Sequence, residues 1–168
     1  MALIKGKDGP VEDVWVMVEL DEEIPEDKPV IVGLEQFTAE RESLLRRTAP
    51  LGVRLESHEQ VEDIAQDLES FALVALVFPV FKDGRAYSSA RLLRERYNYQ
   101  GEIRAVGNVL RDQLFFMIRC GFNAFDVDPE RFTREKWHSA FEEFDVVYQP
   151  AADNRTPVMA LRSPHTDG

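Results

Sequence analysis

Residues 72–78 read ALVALVF, an unbroken apolar run with no polar face. A run that short and that apolar suits a strand buried on both faces, in the middle of a parallel sheet covered by helices. Pro79 and the Asp83–Gly84 pair end it. On its N-terminal side, residues 59–71 place Val61, Ile64, Ala65, Leu68 and Phe71 at helical spacing. Ser57 is the expected N-cap of that helix, with Gln60 at the capping-box position. On its C-terminal side, Ser88 and Ser89 are expected to cap a helix that runs through Leu92, Leu93, Arg96 and Tyr97 and ends near Asn98.

The same alternation continues outward. Strands are expected at 14–20 (VWVMVEL), 30–34 (VIVGL), 53–55, 102–106 (EIRAV) and 122–127, with helices at 38–48 and 110–120. Gly107–Asn108 forms the exit turn of EIRAV, and Gly121 is placed as the residue that closes the 110–120 helix. A helix at 129–141 and a strand at 144–148 complete the pattern. Residues 1–13 are expected to be a flexible start with a short edge strand at 2–4, residues 14–148 one α/β domain, and residues 149–168 a disordered tail. Strand–helix alternation predicts a single-domain α/β fold with a mainly parallel open sheet and helices on both faces. The 168 residues fall short of the roughly 250 of an eight-fold barrel, so a doubly wound sheet is expected instead.

Charge narrows the function. The chain carries a net charge of −11, which excludes a general nucleic-acid binder and argues against docking on anionic lipid. The apolar run from Phe71 to Phe81 is too short to span a bilayer. Cys120 is the single cysteine, so neither an internal disulfide nor a thiolate cluster is available, which fits a cytoplasmic protein. It is expected to be a buried thiol. No GxGxxG, Walker lysine loop or HExxH is present, the three histidines are scattered, and no cofactor or metal site is evident.

One segment breaks the acidic trend. Residues 82–119 hold eight basic and four acidic residues, a balance of +4 against −15 for the remainder. Parallel sheets bind ligands beyond the C-terminal ends of their strands. Two such ends carry suggestive loops here, Lys82–Arg85 and Gly107–Asn108, expected to share one crevice. The candidate binding residues are therefore Asp83, Gly84, Arg85, Tyr87, Ser88, Arg91, Arg94, Gly107, Asn108, Arg111 and Asp112, with Arg85, Arg91 and Arg111 as anion clamps. The alternative stands beside it: Arg91 and Glu95 lie four apart and suit a simple surface pair, and Arg104 suits a core acid.

The residues FP…DGR (78–85), Tyr87–Ser88, ARLLR (90–94), EIRAVG (102–107) and LRDQLFFMIRCGF (110–122) together resemble the core of a bacterial family of unknown function linked to assimilatory sulfite reduction. Members of that family are often labelled probable sulfite-reduction oxidoreductases. Ala86, Asn98 and Asn108 stand where the family usually has glycine, glycine and aspartate. An amide at 108 cannot act as an acid or base, which argues against such a role for this position. The resemblance implies a sulfite-assimilation setting and, as partner, the sulfite reductase or its electron donor. A small oxyanion ligand is the other expectation. A homodimer is the commonest oligomer for such a chain.

Overall fold

The computed structural model describes residues 2–5, 9–80 and 82–128. The helix expected at 129–141, the strand at 144–148 and the tail from Gln149 lie outside the described residues. Within them, eight strands form one sheet: β1 (Ala2–Lys5), β2 (Gly9–Val11), β3 (Val16–Val18), β4 (Val30–Gly33), β5 (Leu51–Leu55), β6 (Phe71–Phe78), β7 (Glu102–Gly107) and β8 (Ala124–Val127). Their spatial order is β2-β1-β8-β7-β6-β5-β4-β3. From β3 to β8 every strand is parallel to its predecessor and lies beside it. β1 and β2 add an antiparallel flank, β1 against β8.

The expected single α/β domain with a mainly parallel open sheet is therefore present. The helices are placed differently from the expectation. A doubly wound sheet reverses its strand order once, which sends helices to both faces. Here the order from β3 to β8 never reverses, so right-handed crossovers all fall on one side. The core agrees. Phe37 and Leu44, from α1 (Leu34–Ala39) and α2 (Arg41–Leu45), join one cluster with Ile64, Leu93 and Met117. The latter two come from α3 (Arg85–Glu95) and α4 (Leu114–Cys120). The opposite face has a smaller cluster, Ile31, Leu73, Ala75 and Val106, roofed by Trp15 and Val77 and, among the described residues, by no helix.

Local boundaries follow side-chain chemistry. Residues 61–70 wind as a 3₁₀ helix instead of the expected α-helix from 59. Its cap is Gln60, whose N–H donates to the Asp63 carboxylate at 3.2 Å. α3 begins at Arg85, three residues before the expected serine caps, and the Ser89 hydroxyl donates back to Arg85 O within the helix. The expected helix over 38–48 is two short pieces, α1 and α2, broken at Glu40. β6 is the buried central strand that its sequence demands. Against β5 it slips register, Leu51 facing Phe71 and Gly52 facing Leu73. The extra residue bends the sheet.

The bend is required by connectivity. β2 and β3 are the two outer edges, yet only Glu12–Trp15 joins them. Eight strands laid flat at about 4.8 Å spacing hold their edges roughly 34 Å apart. The five steps from Val11 to Val16 reach at most about 18 Å. The sheet must curl toward a partial barrel, with the strap across the face opposite α1 to α4. β1, expected as an edge strand, is thereby enclosed between β2 and β8, with Leu3 and Ile4 buried.

The strap is fastened by a buried cation. Arg104 of β7, only 2% exposed, donates from Nη1 to Asp13 Oδ2 at 2.7 Å and from Nε to Glu102 Oε1 at 2.8 Å. Lys5 Nζ reaches the other Glu102 oxygen at 2.7 Å. Asp126 of β8 feels the same group of charges, and burial raises its carboxyl above the usual range. Removing one member of such a pair is costly because a charge is left without its partner. Arg104→Met is expected to lower unfolding stability by about 2 to 3 kcal/mol, the low end for a buried pair because Asp13 is partly exposed. Adding Asp13→Leu to it is expected to restore much of that loss. Denaturant midpoints of the single and double variants check this, and a double variant no better than the single refutes it.

Candidate functional site

The C-terminal strand ends lie together at one rim, as parallel pairing requires. The loops after β6 and β7 do become neighbours. Asn108 N–H donates to Phe78 O at 2.8 Å. Gly107 makes that approach possible: its φ is +90°, and a Cβ there would stand 2.6 Å from Phe78 O. Only glycine meets both conditions without strain. The side chain of Asn108 is exposed, as are Arg111 and Asp112 on the 3₁₀ turn Arg111–Gln113.

At the other loop, Asp83 and Arg85 close on each other across Gly84. Asp83 Oδ1 accepts from the Arg85 backbone N–H at 3.1 Å and from Nε at 2.9 Å, while Oδ2 accepts from Nη2 at 2.6 Å. Arg85 Nη2 also donates to Ser57 Oγ at 3.0 Å. These bonds, with Arg85 foremost, hold the Asp83 carboxyl far below its usual range. The carboxylate therefore occupies the position, over the first turn of α3 and in the arginine fork, where an external anion was expected. Beside it runs an open groove of about 400 Å³ between the 61–70 helix and α3, lined by Ser57, Gln60, Arg85, Ser88 and Leu92.

The other expected site residues go elsewhere. Arg91 pairs with Glu95 at 3.0 Å on the exposed side of α3. Arg94 is part of the fold: its guanidinium donates to the carbonyls of Tyr99, Gly101 at 2.9 Å and Gly121 at 3.0 Å, tying α3 to the start of β7 and the end of α4. Tyr87 is half-buried, its ring edge-on to Phe78 at 5.2 Å and tilted on Phe116 at 4.9 Å. Burial pushes its hydroxyl up to about 12, so it is a neutral packing group at neutral pH. Arg96 lies 3.8 Å from Glu62. The structure thus brings Arg85 and Ser88 to one groove with Asp83 paired to Arg85, sets Gly107 and Asn108 on the loop adjoining Phe78, and leaves Arg91 and Arg94 to local partners.

Cys120 is buried, as expected. Among the described residues no group of three or more His, Cys, Asp and Glu is disposed to hold a metal. No helix is long and apolar enough to cross a membrane, again among the described residues. Two features had no usable sequence signal. Ser57, read as a cap, instead receives Arg85 from 28 residues away. Phe116, inside the apolar stretch LFFMI of α4, is nevertheless 54% exposed.

Because the Asp83 carboxyl is held low, its stabilising bonds are complete above the unfolded value of about 3.9 and are lost as pH falls below that toward the folded value. Asp83→Asn is therefore expected to reduce stability by a constant amount from pH 7 to about pH 5. The gap to the parent should narrow only at more acid pH. Urea unfolding across that range measures it, and a gap that does not change on acidification would refute the assignment.

Comparisons with known proteins add one positive finding. No curated protein and no solved structure matches the chain. Residues 52–159 match the family described as a bacterial protein of unknown function, DUF934. The matched span takes in β5 to β8, both neighbouring loops and the Asp83–Arg85 pair. The match covers well over half of the chain, and the protein belongs to the DUF934 family of bacterial proteins of unknown function.

Proposed function

We propose that this protein is an accessory factor of assimilatory sulfite reduction that docks on the sulfite reductase or on the protein that supplies its electrons. One observation carries the docking half: the arginines of the basic segment already hold partners within the chain. Arg85 holds Asp83, Arg91 holds Glu95, Arg94 holds three carbonyls, and Arg104 holds Asp13 and Glu102. A fork already closed on a carboxylate is a poor clamp for a second anion. Recognition of a partner protein through surface shape and charge pattern is therefore favoured over the clamping of a small anion. The sulfite-assimilation half rests on the resemblance carried by residues 78–126.

A second reading has one feature in its favour. The groove beside Arg85, with Ser57 and Ser88 on its walls, has room for a sulfur oxyanion or a phosphorylated metabolite. The protein would then be an enzyme or carrier for that anion. The two readings separate in solution. Purified reductase is expected to be retained on the immobilised protein and to change its turnover when the protein is added. Titration calorimetry with sulfite, sulfate and phosphate is expected to show no saturable heat. No retention together with unchanged turnover removes the docking reading; saturable heat lost in Arg85→Ala favours the second.

A further inference from the structure

The partner reading leaves open which surface does the docking, and β3 offers the strongest candidate. It is an outer strand of the sheet, and among the described residues no strand pairs its far side. Val16 N–H donates inward to Pro29 O at 2.9 Å. In a parallel ladder alternate residues face alternate neighbours, so Val16 and Val18 bond to β4 while the peptide groups of Met17 face outward. Around them the surface is apolar: Val14 is 61% exposed, Leu20 is 52% exposed, and Met17 is also exposed.

The flank specifies the occupant. Residues 19–27, ELDEEIPED, contain six acids and no base, and every one of those acids is exposed. The loop is a formed element: Arg47 Nη2 donates to Pro25 O at 2.6 Å and Lys28 O at 3.0 Å, and Glu22 N–H to Glu19 O at 3.1 Å. Glu19 reaches Arg54, which also holds Glu56. An edge strand with apolar neighbours beside an acidic loop complements an extended segment that alternates basic and apolar residues. Two nearer occupants fit less well. A second copy would bring two acidic loops together. The chain's own residues 129–168 hold seven acids against five bases, which gives no attraction to this flank.

We infer that the β3 edge and the 19–27 loop form the docking surface for a basic, extended segment of the partner protein, paired along Met17. This rests on the docking reading above, and a peptide probe separates the two: the reductase can fail to bind while the edge still takes the peptide, and the reverse. The probe is a synthetic peptide of alternating lysine and valine, titrated into the full chain while Trp15 fluorescence and amide exchange over 14–20 are followed. Saturable binding with new protection at Met17 is expected, weakened roughly tenfold by Leu20→Lys and by high salt. Met17→Pro removes the outward N–H without touching the β4 ladder, so a folded Met17→Pro protein is expected not to bind. A glutamate–valine peptide is expected not to bind either. The inference is overturned by an absence of saturable binding, or by binding indifferent to both substitutions. It is also overturned if the free chain already protects Met17, whether with concentration, which means a second copy, or without, which means its own residues.

Discussion

A four-residue connection, Glu12–Trp15, governs this architecture. It ties the two outer edges of an eight-stranded sheet over a distance that a flat sheet cannot meet. The sheet curls, and the face opposite α1 to α4 becomes the inside of the curve. The strap crosses that inside, where Arg104 holds it through Asp13. A charged side chain in such a place is tolerated because two carboxylates answer it, Asp13 and Glu102, the second shared with Lys5. The apolar residues beneath, Ile31, Leu73, Ala75 and Val106, are mostly small enough to fit a concave surface that no helix covers among the described residues. The helices press on the convex side, where the larger cluster lies.

Much of the fold could be read from the sequence because it depends on local pattern. ALVALVF could only be a central strand, and EIRAVG with Gly107 could only be a strand leading into a tight exit. Gly121 does end α4, in the left-handed conformation that favours glycine. The failures share a cause, which is dependence on partners remote in sequence. The side of the sheet taken by the helices follows from strand order, which no local pattern encodes. The start of α3 at Arg85 follows from the Asp83 carboxylate binding its first N–H, an effect stronger than the later serines. Asp13 and Arg104 are 91 residues apart, and nothing near either of them announces the pair.

The site shows the same division. The sequence led to an expectation that the loops after β6 and β7 adjoin, and they do. It did not distinguish the arginines, because Arg85, Arg91 and Arg94 look alike until their neighbours are placed. Each meets a different partner: a carboxylate two residues back, a carboxylate one helical turn on, and a set of carbonyls from two other elements. The overall balance of +4 is therefore a poor guide to local potential, since most of the segment's cations are matched where they stand. The acids of the 19–27 loop, most without a cation beside them among the described residues, set the field at the β3 end of the sheet.

The position of β1 also bears on how the chain assembles. Each parallel strand from β4 to β8 finds its partner in the element made just before it, so that part of the sheet can grow as the polypeptide leaves the ribosome. β1 cannot join in this way. Its neighbour β8 begins at residue 124, so β1, with only β2 beside it, waits with an open edge for almost the last part of the described sheet. Loop closure over such a span is the slow kind of contact. Nascent chains that end before β8 would leave Leu3 and Ile4 incompletely covered, and these are the stages at which a chaperone has most to hold.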